Sequence, residues 1–186
     1  MEIEKLGIEG AWFARSPVHT DSRGSFREWF KSADVKNAIG RSFEVAQSNI
    51  SISGNNVLRG IHYSMAPSGQ GKWITCLSGS IWDVVVDIRP NSPTYKKWLG
   101  FILDGTSGDA LFISEGLGHG FLSLKNNSIV SYLLTSPYSP LEEFEIDPLD
   151  SELGITWPGL NFQMSPKDSG APSLNSRKES GQLPNI

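Results

Sequence analysis

The sequence predicts an all-β fold of two packed antiparallel sheets. Its apolar runs are short and rich in Val, Ile, Phe, Trp and Thr, they are separated by Gly, Pro, Asn or Ser, and stretches with helical periodicity are scarce. Short strands punctuated by turn residues are the pattern of sandwiches and barrels, and the number of candidate strands requires two sheets. A chain of 186 residues with 38% hydrophobic content, six Trp and nine Phe fills one sizeable core. A single domain is therefore expected over 1–186, with its core at about 8–158.

Taken in order, the first strand is Ala11–Ser16. The best helix follows at Lys31–Ile39, with Ser32 as N-cap and Gly40 as C-cap. Strands come next at Glu44–Ser53, Leu58–Tyr63, Lys72–Ser78 and Ser80–Ile88, joined by turn sequences such as Ser53-Gly54-Asn55-Asn56 and Ser78-Gly79. Side chains alternate along a strand, so Asp83 and Asp87 share one face of Ser80–Ile88, predicted to line something, while Trp82, Val84 and Val86 take the other. The last strands are Trp98–Leu103, Ala110–Ile113, Gly120–Ser123 and Ile129–Thr135, and a one-turn helix is expected near Asp150. From Pro158 onward the chain is rich in Pro, Ser and Gly, which predicts an extended surface tail over 159–186.

Charge and composition exclude several classes of function. The formal net charge is −4 and basic runs such as Lys96-Lys97 are no longer than two residues, so nucleic acid is not an expected partner. The N-terminus lacks a signal-peptide core and no segment approaches the ~20 apolar residues that span a bilayer. The lone Cys76 sits in an apolar run and has no cysteine to pair with. A cytoplasmic protein away from membranes is expected.

Three histidines could carry chemistry. His62 stands three positions after Arg59, a spacing that puts the two on opposite faces of a regular strand, unless Gly60 marks a bulge that re-aims one of them. Alone, that pattern favours a hydrogen-bonded core histidine over a base. His119 lies in the glycine-rich Gly116–Phe121, as a loop residue that either holds its own turn or meets a ligand. The run from Gly108 to His119 is similar to the second half of the cupin motif, but the stretch matching its His-x-His half is His62-Tyr63-Ser64, so no metal is expected. No GxGxxG or P-loop occurs.

Laid out together, the residues resemble a known family. They are Asp21-Ser-Arg-Gly-Ser-Phe-Arg-Glu28, Gln47-Ser-Asn49, Leu58-Arg-Gly-Ile-His62, Gln70-Gly-Lys72, Asp83-Val-Val-Val-Asp-Ile-Arg89 with Ser92-Pro-Thr94, Glu115–Phe121, Tyr132, Tyr138 and Ser165-Pro-Lys-Asp168. In order and spacing the chain resembles the dTDP-4-dehydrorhamnose 3,5-epimerases, cupin-type sugar-nucleotide enzymes, over nearly its whole length. The resemblance implies a cupin-like β-jelly-roll and inversion of C3 and C5 of dTDP-4-dehydro-6-deoxy-D-glucose, giving dTDP-4-dehydro-L-rhamnose. The alternatives are epimerisation at one carbon of a dTDP-4-keto-6-deoxy sugar, or a non-catalytic sugar-nucleotide-binding jelly roll.

The same resemblance implies that His62 is the general base, Asp168 its hydrogen-bonding partner, Tyr132 the proton donor from the opposite side, and Lys72 the group facing the developing enolate. It implies that Arg23, Arg59 and Lys167 contact the diphosphate, that Tyr138 stacks on the thymine, and that Glu28, Gln47, Ser48, Asn49, His119 and Glu143 make further substrate contacts. It also implies that no cofactor is required and that the protein is a homodimer, in which an N-terminal stretch of one subunit reaches the other's sheet.

Overall fold

The computed structural model describes residues 1–66 and 69–185. Its thirteen strands are β1 (Glu2–Lys5), β2 (Ala11–Arg15), β3 (His19–Asp21), β4 (Gly24–Phe26), β5 (Gln47–Ser53), β6 (Leu58–Ser64), β7 (Lys72–Ser78), β8 (Ser80–Asp87), β9 (Trp98–Asp104), β10 (Ala110–Ile113), β11 (Leu117–Ser123), β12 (Ser128–Leu134) and β13 (Glu143–Glu145). The helices are α1 (Ser32–Ile39), α2 (Pro166–Ser169) and α3 (Leu174–Glu179). One sheet has the order β1-β2-β10-β7-β12-β5 and the other β13-β6-β11-β8-β9, with β3 and β4 forming a separate hairpin. Pairing between the named strands is antiparallel throughout. This is the expected all-β jelly roll.

Alternation along each strand sorts the core into three clusters. Ile74 and Cys76 of β7, Ile81 and Val85 of β8, Leu111 of β10, Phe121 of β11 and Val130 of β12 fill the space between the sheets. Trp73, Phe112 and Leu133 point the other way, where Val35 of α1 and Phe43 cover them. Val84, Val86, Leu58 and Leu122 face outward from the second sheet and meet Trp157, Leu174 and Leu183. In the central strands β7, β8 and β11 both faces are thus buried, which is why they are near-continuous apolar runs rather than clean alternations.

The tail is where the structure departs furthest from expectation. Instead of running extended over the surface, it carries α2 and α3 and buries Asp168, Leu174, Arg177 and Leu183; Ile186, its last residue, lies outside the described part. Helix α1 is capped by Lys31 rather than Ser32, with no side-chain hydrogen bond, and Gly40 closes it in the left-handed region as expected. Asp150 starts a turn rather than a helix: its carboxylate accepts from the backbone N–H of Glu152 and Leu174 and so seats α3. Asp83 and Asp87 do share a face, but it is the buried inner face; Asp83 pairs with His119 and Asp87 ties Arg89, Ser92 and Thr94. Among the described residues, no helix is long and apolar enough to cross a membrane.

Candidate active site

The site begins with an irregularity in β6. Against β11, His62 faces His119 while Arg59 faces Phe121, so three steps on β6 match two on β11. One extra residue is a β-bulge, and a bulge reverses the parity of everything beyond it. Arg59 and His62, which a regular strand would separate, therefore open into the same cavity. Gly60 makes this possible: it sits at φ 109, and a Cβ there would lie 2.6 Å from both the Gly120 Cα and the His119 carbonyl oxygen.

The cavity measures about 280 Å³ and lies between the two sheets. One wall is built from the β13-containing sheet: Arg59 and His62 of β6, His119 of β11 and Glu143 of β13. The facing wall comes from the other sheet: Lys72 of β7, Tyr132 of β12 and Asn49 of β5. Tyr138, 55% exposed, stands at the mouth, and Lys167 and Asp168 of α2 close the side next to His62.

His62 Nε2 is 2.6 Å from Asp168 Oδ1. Burial alone would raise the Asp168 carboxyl, but the His62 ring, the Ser165 hydroxyl and the Gly60 backbone N–H outweigh it and hold the group below the ordinary carboxylate range. An ionised Asp168 accepts the Nε2 proton and leaves Nδ1 with its lone pair. Asp168 is in turn fixed by Ser165, whose hydroxyl accepts from the Asp168 backbone N–H at 3.0 Å and donates to its carboxylate at 2.9 Å. Across the cavity Lys72 is buried, and that burial pulls its ammonium down to about 8, against the opposing pull of Glu143 and Glu115.

Not every expected residue reaches this cavity. Arg23 is on the exposed β3–β4 hairpin, 88% exposed and paired with Asp21 at 2.5 Å. Glu28 is exposed too, 3.9 Å from Lys31. Ser48 is on the outward face of β5 with Ile50 and Ile52, the face that alternation turns away from Asn49 and Ser51. Gln47 does not line the cavity but braces two residues that do, donating to Asn49 Oδ1 and accepting from the Tyr138 backbone N–H, each at 2.8 Å. His119 belongs to a strand rather than a loop, its ring held 3.0 Å from Asp83.

Residues not singled out as site residues also line the cavity: Ser51, Gln70, Phe121, Leu134, Phe144 and Ser165. Ser165 was legible as the cap of a Ser-x-x-Asp motif, and Gln70 as the residue two before Lys72 on the same side of the chain. Among the described residues, no group of three or more His, Cys, Asp or Glu is placed to hold a metal ion.

Comparison with known proteins gives a consistent result. The family profile described as dTDP-4-dehydrorhamnose 3,5-epimerase matches residues 5–176. A dTDP-4-dehydrorhamnose 3,5-epimerase from Mycolicibacterium smegmatis is 43% identical over 185 residues, covering 99% of this chain and 91% of the relative. The crystal structure of a 4-keto-6-deoxy sugar epimerase from the novobiocin biosynthetic gene cluster of Streptomyces spheroides superposes with a TM-score of 0.98 at 41% identity, over 100% of this chain and 94% of that one. A 3'-monoepimerase from Streptomyces bikiniensis, solved with dTDP-quinovose, gives a TM-score of 0.93 at 41% identity, covering 97% and 91% of the two chains.

Proposed function

This chain belongs to the dTDP-4-dehydrorhamnose 3,5-epimerase family and is an isomerase, and from that premise we propose that it inverts C3 and C5 of dTDP-4-dehydro-6-deoxy-D-glucose by proton transfer on either side of the sugar ring. The observation that carries the proposal is the opposition of the two walls. The His62–Asp168 pair comes from one sheet and its helix, and Tyr132 with Lys72 comes from the other. Inversion at carbon needs a base on one face and an acid on the other.

In this reading Nδ1 of His62 takes the proton from the carbon beside the ketone. The electron pair of the broken C–H bond moves to the carbonyl oxygen, which becomes an enolate beside the Lys72 ammonium. As the carbonyl re-forms, the Tyr132 hydroxyl protonates the same carbon from the other face; solvent then restores the phenol, and the imidazolium gives its proton to solvent. Nothing is oxidised or reduced. Arg59 and Lys167 suit the diphosphate as fixed cations, and Tyr138 at the mouth offers an aromatic face to the thymine.

The 3'-monoepimerase among the similar structures supports a second reading, inversion at C3 alone. Incubating the purified protein with dTDP-4-keto-6-deoxyglucose and a downstream reductase separates the outcomes. dTDP-rhamnose is expected; a C3-inverted product alone favours the second reading, and unchanged substrate contradicts both.

The protein is further inferred to work in the cytoplasm as a homodimer. Supporting the dimer, the protruding β3–β4 hairpin holds Phe26 at 66% exposure next to Arg23, and Ile50 and Ile52 stand at 64% and 62% on the outward face of β5. A monomer by light scattering at micromolar concentration would contradict the dimer.

A further inference from the structure

Lys72 enters the cavity from the first residue of β7, and a long, flexible side chain there needs something to aim it. Among the described residues, its Nζ makes one hydrogen bond, donating to Gln70 Oε1 at 2.6 Å. Gln70 is itself buried, at 6% exposure. The other end of its amide donates from Nε2 to Glu143 Oε1 at 3.0 Å and to the Ser136 carbonyl at 3.3 Å. With two acceptors holding the NH₂, the amide can only turn its oxygen toward the ammonium. Lys72 and Glu143 belong to different sheets, so this one amide links the two walls and fixes the lysine against both.

We propose that Gln70 is a positioning residue for Lys72, its clamped amide holding one ammonium proton so that another points at the substrate oxygen that gathers negative charge. The inference rests on the epimerase reading and extends it to a residue with no role there. A neutral acceptor suits the task. A carboxylate at this position would form an ion pair with the ammonium and spend its charge before the enolate forms, whereas an apolar side chain would leave the ammonium buried with no partner.

The other titratable groups facing Lys72 are Glu143 from β13, Glu115 from the β10–β11 turn with Arg41 bonded to it, His62 from β6, His119 from β11 and Tyr132 from β12. Glu143 and Glu115 favour the charged lysine and burial disfavours it, burial being the larger, which brings the ammonium to about 8. A protonated lysine is required, so kcat/KM falls as pH rises through that region. Changes at Gln70 move this alkaline limb in opposite directions.

The test compares wild type, Gln70→Leu and the isosteric Gln70→Glu by steady-state kinetics against pH and by the 13Cε chemical shift of Lys72 against pH. Gln70→Leu is expected to lower kcat about 10- to 100-fold, the scale of one lost hydrogen bond to a charged group, with KM within a few-fold and the limb moved to lower pH. Gln70→Glu is expected to move both the limb and the Lys72 titration up by about one unit or more. Melting curves identify any variant that has not folded. Folded variants whose Lys72 titration matches wild type would overturn the proposal, leaving Gln70 a brace between sheets. Should wild type fail to epimerise, the functional reading falls and this inference with it, whereas an active wild type with an unmoved Lys72 titration in the variants overturns this inference alone.

Discussion

Lys72 illustrates how a single residue trades stability for chemistry. Its ordinary value of 10.5 is lowered to about 8 by burial, so the charged form destabilises the fold. The sign follows from the direction: the unfolded chain holds the proton up to about 10.5 and the native one only to about 8, so the penalty is full below 8 and fades as pH rises toward the unfolded value. Lys72→Met is therefore expected to gain roughly 1–3 kcal/mol at pH 7, the burial penalty less the cost of leaving Gln70 unpaired, while losing activity. Above pH 9 the buried Cys76 thiol, pushed up to about 11, acts in the opposite sense, so the informative quantity is the difference in urea midpoint between wild type and variant. A difference that does not shrink between pH 8 and 10 would contradict this account. Asp168→Asn tests the other wall. An amide can offer its NH₂ to Nε2 and select the wrong tautomer of His62, lowering kcat by roughly 10²–10⁴-fold with the fold intact, as rapid-quench or coupled assays would measure.

At the scale of elements, two local devices set the site. The bulge in β6 requires a glycine, and Gly60→Ala drives a Cβ to 2.6 Å from two backbone atoms at a φ of 109. Its expected cost is above about 3 kcal/mol with activity lost, because strain at such a position adds to the clash; a melting temperature within a degree or two of wild type would contradict it. Helix α2 depends on Ser165 as its N-cap. Ser165→Ala is expected to cost about 1 kcal/mol and to lower kcat beyond what that loss explains, since the same hydroxyl holds the Asp168 carboxylate. These devices also show how much was legible beforehand. Gly60 between Arg59 and His62 pointed to a bulge, because two polar side chains of odd spacing need one to share a face. The glycines around His119 suggested a loop, yet Gly118 is strand: a Cβ there would meet Ile61 at 2.6 Å and Val86 at 2.9 Å, and a glycine kept for close strand packing looks the same in sequence as one kept for a turn. The short β1, β3, β4 and β13 carry too few residues for alternation to register.

For the whole molecule, the covered outer faces of the central strands explain both the long apolar runs and the misjudged C-terminus. A Pro-, Ser- and Gly-rich composition suggested a surface tail, but a handful of anchors, Leu174, Leu183 and the buried Arg177 bonded to the Glu145 carbonyl at 2.9 Å, dock it on the second sheet. Composition averages over such anchors and hides them. A chain ended at Pro158 would expose Leu58, Ile61 and Val84 and lose Asp168; it is expected to lose cooperative unfolding in urea, and a sharp transition at the wild-type midpoint would contradict the packing described. The central claim is that protons leave and arrive on opposite faces of one ring, from opposite sheets of one fold. NMR in D₂O with dTDP-4-keto-6-deoxyglucose tests it most directly: wild type should place deuterium at both C3 and C5 with inversion, Tyr132→Phe should exchange deuterium without inverting, and His62→Asn should do neither. Inverted, deuterated product from His62→Asn at the wild-type rate would contradict the account.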